Sequence, residues 1–168
     1  FTVTGTNDAP VVSADAAQVS EDSQAAASGN VLAGDSDVDA GTVLAVAAPG
    51  TFEGAYGTLS LSQDGAYTYT LNAASASVQA LAQGQTVVDS FAYAATDGSV
   101  AVASVLNVTI SGSNDGPVVA ADTAFVIEGG AVSVSGNALV NDTDIDNGAL
   151  LQVAAPGTFA GIYGTLSI

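Results

Sequence analysis

The sequence predicts an all-β protein built from tandem β-sandwich modules that repeat about every 107 residues. Three observations support this prediction. The segment NDAPVV at residues 7–12 recurs as NDGPVV at 114–119, and VAAPGTF at 46–52 recurs at 153–159 with the same offset. Apolar and polar residues alternate with a period of two, which is typical of strands. Asp-Gly pairs interrupt the alternating runs and indicate hairpin turns.

The repeat divides the chain into three predicted parts. Without a gap, residues 7–61 and 114–168 are identical at 32 of 55 positions. Residues 1–6 (FTVTGT) match residues 108–113 (VTISGS), so we expect them to be the last strand of a preceding repeat. Residues 7–113 then form a complete β-sandwich repeat, and residues 114–168 form the first half of the next. Half a sandwich cannot bury its own core, so we expect its missing strands to come from a continuing chain or, less favoured, from another chain.

The strand pattern is clearest in the second half of the complete repeat. Within residues 100–110, Val102, Leu106 and Ile110 fall on one face of a strand, and small or polar residues fall on the other. The Asp-Gly pairs at 64–65 and 97–98 separate such runs, and only residues 73–82 have helical character. Seven or so short strands in a repeat of this length predict an immunoglobulin-like or cadherin-like sandwich.

The charge composition excludes several functions. The 168 residues include 17 Asp and Glu but no Lys, Arg, His or Cys, so the formal net charge is −17. Nucleic-acid binding and adhesion to an anionic membrane both need basic side chains. Because Cys and His are absent, thiol, histidine and ordinary zinc chemistry are also excluded. No apolar run is long enough for membrane insertion. With 48% hydrophobic residues, the chain is expected to be globular rather than disordered. Because the chain carries no basic side chain, calcium from solution is the natural counterion for its carboxylates.

The sharpest local motif is an acidic loop present in both copies. GDSDVDAG at residues 34–41 recurs as NDTDIDNG at 141–148. Two carboxylates about 4 Å apart repel by about 4 kcal/mol near a protein surface, and a calcium ion would convert that repulsion into coordination. A solvated acidic turn is the alternative, but the pattern recurs in register with no basic partner. An EF-hand is excluded because its sixth and twelfth positions are Ala40 and Val46 rather than Gly and Glu. The predicted loop ligands are Asp35, Asp37, Asp39, Asp142, Asp144 and Asp146.

Other acidic or amide side chains fall in the linkers and at the predicted ends of modules. The remaining predicted calcium ligands are Asn7, Asp8, Glu21, Asp97, Asn114, Asp115 and Glu128. Glu53 is not expected to bind metal because its counterpart is Ala160, and Asp15 is expected at a surface strand end. Asp64 and Asp89 are assigned to turn and surface positions.

With these motifs in view, the whole chain resembles the VCBS-type and cadherin-like repeats of giant bacterial adhesins, many of them type I secreted proteins of the RTX type. The matching segments are TNDAPVV, VSED, GDSDVDAGTVLAV, GTLSLSQDGAYTYTL and the final DSFAYAATDGS with LNVTISGSND. The resemblance implies a non-enzymatic extender that is extracellular, lies at the bacterial cell surface, contributes to biofilm and contacts neighbouring repeats of its own chain.

The resemblance also implies calcium clusters shared between consecutive modules. Glu21 with Asp142 and Asp144 would serve the linker at 114–115. Asp35, Asp37 and Asp97 would serve the linker at 7–8. The sequence departs from the cadherin pattern after Asp97, where Gly comes one residue early, and the third loop aspartates, Asp39 and Asp146, have no clear cadherin counterpart.

Two other functions compete with the extender. Copies of the chain could form an extracellular filament completed by strand exchange. Alternatively, Tyr and Phe rings could stack on a ligand such as a carbohydrate, although their alternation with polar residues favours core packing. A carboxylate-only glycosidase is disfavoured because the acidic residues cluster in loops at module ends rather than in a cleft.

Overall fold

The computed structural model describes residues 1–130 and 132–168. They form two compact units, Phe1–Ser113 and Asn114–Ile168, called here the first unit and the second unit. The division falls where the sequence repeat begins again. Each unit is described by itself.

The first unit consists almost entirely of strands. Its single short helix, α1, lies inside the segment with helical character. The elements in chain order are β1 (Asp15–Ser20), β2 (Ala26–Asn30), β3 (Ala45–Val46), β4 (Gly50–Glu53), β5 (Gly57–Leu61), β6 (Ala66–Leu71), α1 (Ala76–Gln79), β7 (Thr86–Thr96) and β8 (Ala101–Ser111).

These strands form two four-stranded sheets, with orders β1-β8-β7-β3 and β2-β6-β5-β4. β1 pairs with β8 in parallel, and every other pair in the two sheets is antiparallel. Both predicted Asp-Gly hairpins are present, with Gly65 at φ +85° and Gly98 at φ +94°. A side chain is disfavoured at such φ values, which explains the glycines. The prediction of an all-β, sandwich-like module is therefore confirmed.

The core lies between the sheets and follows the alternation read from the sequence. Leu106, Val108 and Ile110 in β8 are fully buried, as the period of two predicts. From the opposite sheet, the Tyr69 ring packs 5.9 Å from the Phe91 ring, centroid to centroid, at an interplanar angle of 60°. The aromatic residues of β6 and β7 thus join the two sheets, as core packing requires.

Asp89 corrects the sequence-based assignment of that residue to the surface. It is 3% exposed on the inner face of β7. Its carboxylate accepts hydrogen bonds from the Ala55 and Tyr56 amides at 2.8 and 3.1 Å, and from the Tyr69 hydroxyl at 2.7 Å. Burial, together with this bond to Asp89, raises the pKa of Tyr69. The carboxylate therefore ties the β4–β5 hairpin and β6 to a strand of the other sheet.

The second unit has less regular structure. Within its described residues the strands are β9 (Thr158–Ala160) and β10 (Thr165–Ser167), which pair antiparallel. Positions that are buried in the first unit are open here: Leu59 is 1% exposed and its counterpart Leu166 is 59% exposed. Residues 1–6 are exposed and lie outside the strands. The assignment of residues 1–6 and 114–168 to flanking repeats stays a prediction.

Candidate metal centre

The acidic loop of the first unit follows β2 and folds on itself through local hydrogen bonds. The Asp39 amide donates to Asp37 Oδ1 at 2.8 Å, and the Thr42 amide donates to the Asp39 carbonyl at 3.2 Å. Gly41, at φ +87°, makes the reversal that ends the loop. Short Asx-type bonds of this kind are what Asp side chains form in turns. The alternating aspartates are therefore held in a compact turn.

The linker preceding β1 lies along this loop. The Asp8 amide donates to Asp39 Oδ2 at 2.8 Å, and Val11 and Ser36 exchange two backbone hydrogen bonds at 2.8 and 3.0 Å. Further along, the Ser13 amide donates to Asp35 Oδ1 at 3.0 Å. Three successive attachments therefore bind residues 8–13 to the loop of the same unit.

Asp97, from the β7–β8 hairpin, joins the same group. Its Oδ1 accepts hydrogen bonds from the Ser99 and Val100 amides at 2.6 and 2.7 Å, and its Oδ2 accepts one from Asn7 Nδ2 at 2.8 Å. The bond from Val100, with those from Asn7 and Ser99, lowers the pKa of Asp97. The structure thus brings Asp8 beside the loop, and it brings Asp97 beside Asn7, from which Asp97 is 90 residues away in sequence.

Each loop aspartate gives one carboxylate oxygen to a backbone amide. Asp35 accepts from Ser13, Asp37 from Asp39, and Asp39 from Asp8. The remaining oxygens of Asp35 and Asp37, both named Oδ2, are buried and have no hydrogen-bond partner. A buried acceptor without a partner is costly. Oxygens in this state are the donor type that calcium takes from proteins, so the chemistry of these donors suits a calcium ion.

The same network recurs in the second unit at the same offset. The Asp146 carboxylate accepts from the Asp115 amide at 3.0 Å, and its own amide donates to Asp144 Oδ1 at 2.9 Å. Asp142 accepts from the Ala120 amide at 2.8 Å. Asp146 is 8% exposed, and its Oδ1 is buried without a hydrogen-bond partner. The arrangement therefore belongs to the repeat rather than to one copy of it.

Glu21 is placed differently from the loop aspartates. Its side chain is fully buried at the end of β1. Oε1 accepts from Gln79 Nε2 of α1 at 2.9 Å, and Oε2 accepts from the Ser113 amide at 3.2 Å. Glu21 thus holds the last residue of the first unit against α1. Its counterpart Glu128 is exposed in the second unit.

No three acidic side chains in residues 1–130 and 132–168 are gathered closely enough to form a group that could hold a metal ion. The structure brings the loop and linker residues next to one another without the full convergence of carboxylates that the spacing predicts. The amide hydrogen bonds explain the difference, because each turns one oxygen of an aspartate toward the backbone. The ligand set as a whole therefore stays a prediction.

The fold and this cluster define a class of protein: a β-sandwich repeat whose N-terminal linker is bound to an acidic loop of the same module. The chain belongs to the bacterial cadherin-like domain family, whose model matches residues 7–112. A search of curated proteins found no match to the chain. Cadherin-like domains generally bind calcium and are structural, non-enzymatic folds of adhesin-type or extracellular repeats. No helix among the described residues is long and apolar enough to cross a membrane.

Proposed function

We propose that this chain is a calcium-rigidified extender repeat of a large bacterial surface adhesin or biofilm matrix protein. The observation that carries the proposal is the recurrent network of linker and acidic loop. In both units a loop aspartate accepts the amide of the linker aspartate, and buried carboxylate oxygens are left without donors. In a chain with 17 acidic side chains and no basic one, a cation from solution is needed to complete the site.

The residues proposed to hold calcium in the first unit belong to the acidic loop, the linker and the β7–β8 hairpin. They are Asn7, Asp8, Asp35, Asp37 and Asp97, and the second-unit counterparts of the first four are Asn114, Asp115, Asp142 and Asp144. Asp39 and Asp146 hold the linker against the loop. Bound calcium would neutralise the repulsion between the carboxylates and add charge-based bonds between linker and loop. A stiffened linker would keep successive modules extended and hold an adhesive part of the protein away from the cell.

Calcium is expected to raise the melting temperature of the chain relative to the same protein in chelator. At tenfold saturation one site adds about 1.4 kcal/mol, which corresponds to several degrees for a domain of this size. Differential scanning calorimetry with calcium, magnesium and EDTA measures the shift. Small-angle scattering should show greater flexibility in EDTA.

A variant pair makes this test specific. Asp37→Asn removes a half-buried loop charge and should reduce the calcium-dependent shift. Asp22→Asn removes the same charge from an exposed residue at φ +60°, a conformation that Asn tolerates well, and should leave the shift unchanged. Equal melting temperatures of the wild type in calcium and in EDTA, with unchanged scattering, would exclude the rigidified extender.

One observation favours the filament as a second candidate. Apolar residues of the second unit are exposed where their counterparts in the first unit form the core: Val126 is 58% exposed, whereas Val19 is 3% exposed. Strands from another copy could cover this surface. Alanine substitutions at Leu59 and at Leu166 separate the extender from the filament.

A further inference from the structure

The third aspartate of each acidic loop is where the linker is attached. Asp39 Oδ2 accepts the Asp8 amide at 2.8 Å, and the Asp146 carboxylate accepts the Asp115 amide at 3.0 Å. These two residues are also the ones without a clear counterpart in the cadherin pattern. The contact recurs with the same atoms of the chain in both units, so it is a property of the repeat.

Neighbouring contacts show that this bond fixes a defined backbone path. The linker Asn donates to the carbonyl of the following Asp in both units, from Asn7 at 2.7 Å and from Asn114 at 2.6 Å. Three residues beyond Asp8 and Asp115 respectively, the linker forms its short backbone ladder with the loop, through Val11 in the first unit and Val118 in the second. A linker held at both points cannot swing freely from its own unit.

The loop side of the contact is equally restrained. The amide of the third aspartate donates to the middle aspartate, at 2.8 Å from Asp39 to Asp37 and at 2.9 Å from Asp146 to Asp144. The third aspartate therefore connects the linker backbone to the side chain of a predicted ligand. A side chain that orients ligands from outside commonly changes metal affinity about 10- to 100-fold when it is removed.

We propose that Asp39 and Asp146 are positioning residues, which bind the linker to the acidic loop before any cation arrives and so prearrange the calcium site that the proposed function requires. The linker then belongs structurally to the module that follows it. Calcium affinity is set in part by this attachment, because a prearranged site loses less conformational entropy when the ion binds. The affinity claim rests on the proposed function, whereas the attachment itself does not.

Amide hydrogen exchange of the whole chain in EDTA, followed by NMR, tests the attachment without calcium. The Asp8 amide should be protected in the wild type and should exchange at least about tenfold faster in Asp39→Ala, because its acceptor is gone. Asp39→Asn keeps an acceptor oxygen and should retain most of the protection. Val38→Ala, at an exposed neighbour, is the matched control and should change nothing. Equal exchange of the Asp8 amide in wild type and Asp39→Ala would overturn the proposal.

Calcium titration of the same variants separates positioning from direct ligation. Asp39→Ala should weaken calcium binding about tenfold or more, and Asp39→Asn should weaken it much less. Equal losses in both variants would show that the charge itself binds the ion and would overturn the positioning role. Absence of calcium binding by the wild type would refute the proposed function, while exchange in EDTA would still decide the attachment. If Asp39→Ala does not fold, Asp146→Ala with the Asp115 amide provides the same measurement in the second unit.

Discussion

Asp89→Ala is expected to lower the free energy of unfolding of the first unit by about 3–5 kcal/mol. The substitution leaves three donors without their acceptor: the part-buried amides of Ala55 and Tyr56 and the buried hydroxyl of Tyr69. Each unsatisfied buried group costs about 1–3 kcal/mol. Urea denaturation followed by circular dichroism, with the linear extrapolation, measures the change.

The control for Asp89→Ala lies next to it in the same strand. Val88 is 51% exposed on the opposite face of β7, so Val88→Ala should change the unfolding free energy by no more than about 0.5 kcal/mol. If Asp89→Ala were as mild as Val88→Ala, the carboxylate would not tie the two sheets together, and the account of the core would be wrong.

Leu59→Ala is expected to cost about 2–5 kcal/mol, which is typical of a buried leucine replaced in a well-packed core. Leu59 is 1% exposed in β5. Its counterpart Leu166 sits in the same local sequence, GTLS, but is 59% exposed in β10. Leu166→Ala should therefore cost no more than about 0.5 kcal/mol. The two substitutions therefore compare a buried leucine with an exposed leucine in the same local sequence.

This pair also distinguishes the extender from the filament. If copies of the chain complete one another by strand exchange, Leu166 is buried in the assembly. Leu166→Ala would then lower stability nearly as much as Leu59→Ala, and the loss would depend on protein concentration. Independence from concentration together with a small Leu166 effect would exclude strand exchange through this surface.

Much of the fold could be predicted because its signals are local. Alternation placed Leu106, Val108 and Ile110 on one face, and Asp-Gly pairs marked the hairpins at Gly65 and Gly98. Recurrence at one fixed offset identified the acidic loops without reference to any structure. These signals depend on backbone geometry and on burial of one strand face, both of which act within a few residues.

Asp89 shows what polarity alone misses. Its charge indicated a surface position, yet the alternation that placed Phe91 and Tyr93 inside also places Asp89 inside. The alternation gives the correct position, because hydrogen bonds from the amides of the β4–β5 hairpin and from the Tyr69 hydroxyl satisfy the buried carboxylate. Those partners lie 20 to 34 residues away in sequence, so local pattern could not identify them.

The sequence singled out the loop aspartates but not the geometry that holds them. The spacing of Asp35, Asp37 and Asp39 suggested three carboxylates converging on one point. In the structure each gives one oxygen to a backbone amide, and two of those amides belong to the linker segment, at Asp8 and Ser13. Competition between backbone donors and a cation for the same oxygens depends on how linker and loop pack, which residue spacing does not reveal.

Calcium titration of the whole chain by isothermal calorimetry tests the central claim most directly. We expect binding with a Kd of about 10⁻⁴–10⁻³ M, the range of extracellular calcium modules. The double variant Asp37→Asn/Asp144→Asn should lose most of this binding, and Asp22→Asn should retain it. Absence of calcium binding at several times that concentration, or equal binding by the double variant and the wild type, would contradict the account.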